Sequence, residues 1–142
     1  MAISVTPFFM FNGQAEEALT FYMSLFKRSR LEAIAHYGED GLGDPGTVIS
    51  ATFDIDGQRM TFIDSAINHD FDFTPSTSMY VNCDSEEEVE RLHTALSVGG
   101  KDLMPLGEYP FSQKYCWIVD RFGLSWQLGF ETKVEALKPS NS

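Results

Sequence analysis

Residues 4–11, Ser-Val-Thr-Pro-Phe-Phe-Met-Phe, are β-prone and stop at Asn12-Gly13, a pair that favours a turn. Over residues 14–27 the apolar positions switch to helical spacing, with Ala15, Ala18, Leu19, Tyr22, Met23 and Phe26 on one side. Glu16 and Glu17 fall in the first turn and Lys27 and Arg28 in the last, as the helix dipole favours. Residues 30–37 read as a strand and 38–46 as a loop. Two further strands, 47–55 and 58–64, meet at Asp56-Gly57, a two-residue hairpin signal, before a looser stretch over 65–75.

The pattern then starts again. Residues 77–83 read as a strand and 85–98 as a helix with Val89, Leu92 and Leu96 on one face, ended by Gly99-Gly100. A short strand is expected near Leu103, a hairpin of 115–120 and 124–130 around Gly123, and a polar tail over 131–142. A shift of 70 lays Asn12 to Glu17 over Asn82 to Glu87, and Leu19, Tyr22 and Phe26 over Val89, Leu92 and Leu96. A shift of 66 lays Asp54, Gly57 and Phe62 over Asp120, Gly123 and Leu128. Two matches in the same order predict a duplication, with halves 4–64 and 76–130 each βαβββ. A lone half would leave one sheet face bare. Edge-to-edge union into a curved sheet, helices outside and a cleft inside, is therefore expected: an α+β fold, one domain over 1–142. Clefts between related halves are common ligand sites.

Composition narrows the partners. The 142 residues are 43% apolar, as in a globular protein, and the net charge of −11 argues against nucleic acid and anionic membranes. Lys27, Arg28 and Arg30 make a small basic cluster against that field. No apolar run nears the roughly 18 residues of a membrane span, and the first residues show no basic or long apolar leader. Cys83 and Cys116 belong to no CxxC pair, so free thiols and a cytoplasmic location are expected.

Four stretches carry a family resemblance: Thr6 to Ala18 with Phe21-Tyr22, Asp56-Gly57-Gln58, Glu86 to Leu92, and Cys-Trp-Ile-Val-Asp-Arg-Phe-Gly-Leu-Ser-Trp-Gln at 116–127. In them the chain resembles the PhnB-like branch of the glyoxalase/bleomycin resistance/dioxygenase superfamily, the vicinal oxygen chelate proteins. The resemblance covers about residues 4 to 130 and implies that superfamily's fold. Members of the branch often bear the label 3-demethylubiquinone methyltransferase. Here no GxGxxG follows a strand and opens a helix, and Gly38, Gly41, Gly43 and Gly46 lie in a loop between strands.

Active members of the superfamily bind a divalent metal through four side chains, usually His and Glu, leaving an open edge for a substrate with vicinal oxygens. Carried over by motif, those positions are Pro7, Thr61, Thr77 or Ser78, and Gln127. Proline has no ligating side chain, and hydroxyls and an amide are weak ligands for zinc, iron or manganese. The resemblance thus implies a cleft with neither metal nor cofactor. Alternation puts Phe9 and Phe11 on one face of their strand and Phe8 and Met10 on the other. With Gln127 facing the cleft, Thr61 and Ser125 face it too, while Phe62, Trp126 and Leu128 pack under the helices. The expected ligand-binding set is Phe9, Phe11, Thr61, Ile63, Met79, Trp117 and Gln127, with no catalytic residue singled out.

His36, His69 and His93 lack ligand spacing. His69 beside Asp70 and Asp72 reads as a solvated loop, Cys116 as a buried thiol, and Glu86, Glu87, Glu88 and Glu90 as a solvated helix face. The expected function is binding of a small, partly apolar molecule. A homodimer is expected as well, because strand edges and a Phe-rich surface need covering. The competing readings are a lyase, isomerase or oxygenase with an atypical metal or acid–base site, and a regulatory partner protein.

Overall fold

A computed structural model describes residues 3–131, so the expected tail lies outside the described residues beyond Glu131. The first set of elements is β1 (Phe8–Phe11), α1 (Ala15–Leu25), β2 (Ser29–His36), β3 (Val48–Ile55) and β4 (Gln58–Asp64). The second is β5 (Ser78–Asn82), α2 (Glu86–Ser97), β6 (Lys101–Tyr109), β7 (Ser112–Val119) and β8 (Ser125–Phe130). Each set forms its own four-stranded sheet, in the orders β1-β4-β3-β2 and β5-β8-β7-β6. In both, the first strand runs parallel to the last and the other pairs are antiparallel. The chain divides between Asp70 and Phe71 into two compact units, one per set, and the repeat read from the sequence is a pair of βαβββ modules.

Local chemistry explains most boundaries. Asp56 (φ 48°) and Gly57 (φ 93°) both take left-handed backbone, which a two-residue hairpin with matching twist requires, and Asp54 Oδ1 accepts from the Gly57 N–H at 2.7 Å. Ser85 caps α2, its Oγ accepting from the Glu88 N–H at 3.1 Å, with Glu86, Glu87 and Glu88 in the positively polarised first turn. At the other end Gly100 lies so close to β7 that a Cβ would come within 2.4 Å of the Val119 carbonyl oxygen. Two expectations shift. The helix ends at Leu25, because Phe26 is extended, and Arg28 pairs instead with Asp56 at 2.7 Å. The strand expected near Leu103 is nine residues long, its pairing with β7 interrupted by irregularities that hide its period in the sequence.

The start of α1 depends on a residue far along the chain. Gln14 provides no side-chain cap. Asp64, at the end of β4 and 2% exposed, accepts through Oδ1 from the Gly13 and Ala15 N–H groups at 2.7 and 3.0 Å. Its Oδ2 accepts from the Val48 N–H at 2.9 Å, where β3 begins. Two residues earlier Phe62 sits amid Phe9, Phe11, Phe53 and Tyr22, with ring centroids 5.4, 4.6, 4.7 and 5.9 Å away. In the second unit Asp120 accepts from the Phe122 and Leu124 N–H groups at 2.8 and 3.1 Å and from Trp126 Nε1 at 2.9 Å.

Removing the Asp64 carboxylate strands buried N–H groups on two elements. Asp64→Ala should lower unfolding stability by about 3 kcal/mol or more, since bonds to charged acceptors are worth about 1.5–3 kcal/mol each. Urea denaturation of the two proteins measures the difference.

Candidate functional site

Each sheet has one face under its own helix and one turned away from it, and the strand register decides which residues occupy which. In the first sheet Phe8 and Met10 lie beside Thr61 and Ile63, whereas Phe9 and Phe11 lie beside Phe62 and Asp64. Laterally paired residues share a face. Thr61 and Ile63 therefore occupy the helix-free face with Phe8 and Met10, and Phe9 and Phe11 do not: they pack on the α1 side around Phe62. In the second sheet Met79 pairs with Trp126, which is 1% exposed beneath α2, so Met79 also leaves the expected face. Tyr80 takes its place beside Gln127, and Trp117 pairs with Gln127 from the other side. The expectation was misplaced by one residue on two strands, because alternation sets which residues go together but not the register to the neighbour.

The helix-free face of the second sheet is the more elaborate of the two. Trp117 Nε1–H donates to Ser125 Oγ at 2.8 Å, and Ser125 Oγ lies 2.7 Å from Ser78 Oγ. Of the alternatives Thr77 and Ser78, it is Ser78 that shares this face. The Tyr115 hydroxyl donates to Gln127 Oε1 at 2.6 Å. Around Tyr115 stand Tyr80, Tyr109 and Phe111, with ring centroids 6.4, 5.4 and 4.8 Å away. Tyr80 is 45% exposed and Phe111 50%. The sequence reading missed Tyr80, Tyr109, Phe111 and Tyr115. Tyr115 was within reach, since it alternates with Trp117 on one strand.

Burial first, then Glu131 and Cys83, raises the Tyr80 phenol above its ordinary value; burial first, then Tyr80, raises that of Tyr115. Both thiols rise as well, chiefly through burial, Cys83 to about 11 and Cys116 to about 12. Neither is poised as a nucleophile. Each histidine has a partner of its own: His36 contacts Glu16 at 2.6 Å, His93 contacts Asp102 at 3.0 Å, and His69 meets the Ser65 hydroxyl at 3.0 Å.

Among the described residues no group of three or more His, Cys, Asp or Glu is placed to hold a metal ion. The positions carried over by motif offer only the Thr61 and Ser78 hydroxyls and the Gln127 amide oxygen, which Tyr115 already occupies. Pro7 contributes a main-chain carbonyl that accepts from the Thr61 N–H at 3.0 Å. Such a neutral, internally bonded donor set does not fit a divalent transition metal. The loop glycines have a structural reason of their own. A Cβ on Gly41 or Gly43 would come within 2.8 or 2.6 Å of the Tyr37 ring, so these residues make room for that side chain.

Known structures share this architecture. FosX, a genomically encoded fosfomycin resistance protein of Listeria monocytogenes solved with Mn(II) and sulfate, is 13% identical, with a TM-score of 0.63 over 97% of this chain and 99% of its own. That likeness concerns the fold alone, and it gives the class: a glyoxalase/bleomycin-resistance fold. A PhnB protein from Bacillus cereus is 50% identical, with a TM-score of 0.88 over 91% of this chain and all (100%) of its own. Protein PA1353 from Pseudomonas aeruginosa is 26% identical, with a TM-score of 0.79 over 93% of this chain and 100% of its own. The family described as 3-demethylubiquinone-9 3-methyltransferase matches residues 3–129, and the chain belongs to this PhnB-like family. No curated protein sequence matches the chain. No helix among the described residues is long and apolar enough to cross a membrane.

Two titrations follow. Because the folded pKa values of Tyr80 and Tyr115 lie above the ordinary phenol value of about 10, their contribution to stability is full below that pH. It is lost as pH rises through the raised values. Absorbance at 295 nm should show a late-titrating phenol that disappears in Tyr115→Phe. At pH 8 about a thousandth of Cys83, and less of Cys116, is thiolate. Both thiols should resist iodoacetamide in the folded protein and react once it is denatured, as read by mass spectrometry.

Proposed function

We propose that this chain binds a small, partly apolar molecule on the helix-free side of its sheets, with no metal between protein and ligand. The observation that carries the reading is the pairing of rings with neutral polar groups on one face: exposed Tyr80 and half-buried Trp117 flank Gln127, and buried Tyr115 anchors it. Apolar walls with a few fixed polar groups favour flat, weakly polar ligands. In this reading Thr61 and Ile63 lie on the helix-free face of the first module, and Gln127 and Trp117 on that of the second. Two copies of the chain associate, which covers exposed side chains such as Phe8 (59%) and Leu31 (41%) on the edge strands of the first sheet.

The two tryptophans report separately, since Trp117 lies on the helix-free face and Trp126 is buried under α2. Flat heteroaromatic fragments should quench part of the emission, and Trp117→Phe should abolish that change. Mn(II), Ni(II) and Zn(II) should leave the melting temperature unmoved, and native mass spectrometry should show a metal-free dimer. Stoichiometric metal that raises the melting temperature and is reversed by a chelator would sink the reading.

A further inference from the structure

We infer that Gln127 selects the ligand: its side-chain N–H groups donate to a carbonyl oxygen of a flat, uncharged molecule stacked on Tyr80 and Trp117. This rests on the reading of that face as a binding surface and goes beyond it by naming what is bound. The Tyr115 hydroxyl holds Gln127 Oε1 at 2.6 Å, which fixes the amide and leaves Nε2 as its unspent end. Nε2 finds no hydrogen-bond partner among the described residues and is not sealed from solvent.

The indole and serine hydrogens on the face are already committed. Trp117 Nε1–H goes to Ser125 Oγ at 2.8 Å, Ser125 and Ser78 share a bond at 2.7 Å, and Ser78 reaches the Pro75 carbonyl at 3.4 Å. Ordered from Trp117 to Ser125 to Ser78 to Pro75, this relay gives every hydrogen an acceptor. What remains for a ligand are the Gln127 amide and the Tyr80 hydroxyl, both able to donate and neither charged.

The lysines of this sheet do not adjoin Gln127 in the strand register, where its neighbours are Tyr80 and Trp117. Lys114 is drawn to Glu90 at 2.9 Å and Glu86 at 3.8 Å on α2. Lys101 pairs with Val119 and so shares the helix-free face, but at its margin, on the outer strand β6 and two residues along β7 from Trp117. With a net charge of −11 around it, the face suits an uncharged acceptor.

Matched fragments test the inference by ligand-observed NMR titration of the full chain: 1-indanone and coumarin against their carbonyl-free counterparts indane and 2H-chromene. The carbonyl compounds should bind about fivefold to tenfold more tightly, the worth of one neutral hydrogen bond. Gln127→Leu should erase that advantage, read as the ratio of the affinities for each carbonyl compound and its carbonyl-free counterpart. Gln127→Glu, which keeps the side chain's shape, should weaken carbonyl binding below the level of indane. Equal affinities in the unmodified protein, or an advantage that survives both substitutions, would overturn the inference. So would a preference for coumarin-3-carboxylate over coumarin. If no fragment of either kind binds, the binding reading itself falls.

Discussion

A buried carboxylate held by backbone N–H groups organises the first module. The counter-charge of Asp64 is the positive end of α1 and the backbone N–H that opens β3. The end of β1 lies beside it too, because Phe11 is its lateral neighbour. Four elements thus meet at one side chain, and the direction in which it points settles the rest of β4. If residue 64 faces the helix, so does Phe62, with the rings gathered around it. Residues 61 and 63 then have no alternative to the opposite face. The face proposed for binding exists in the first module because a charge had to be solvated on the other side.

The second module reaches the same end by other means. Its aspartate sits at the turn before β8 rather than at the strand's end, and it solvates the turn backbone and the Trp126 indole together. Its helix is capped locally by Ser85. The helix-free faces differ as well. The first places Thr52 and Thr61 hydroxyls 3.3 Å apart among Phe8, Met10 and Ile63. The second builds a ring cluster stitched by hydrogen bonds. Duplication preserved the architecture while the two surfaces took on separate chemistry.

Features that depend on neighbouring residues were legible in the sequence. Asp56-Gly57 marks its hairpin through two left-handed residues, and Ser85 with Glu88 marks the start of α2. The duplication showed because turns and helix starts leave local signatures in the same order. Features that depend on partners far along the chain were not legible. Nothing near Asn12 says that Asp64 will cap α1, and nothing in the run of phenylalanines says that Phe8, not Phe9, will lie beside Thr61. The neutral character of the carried-over positions could be read from residue types alone. The ring cluster needed the register, because Tyr80 and Met79 are adjacent in sequence and point to opposite sides.

Gly129 gives the second face its shape by what it lacks. A Cβ there would fall 2.6 Å from the Tyr80 hydroxyl oxygen, so the phenol ring leans across the vacant position instead of standing off the sheet. The tip of the ring lies over the backbone at that position. A single added methyl group at this position would tilt that ring without altering any aromatic residue. The lie of the ring is held by a hydrogen atom two residues beyond Gln127.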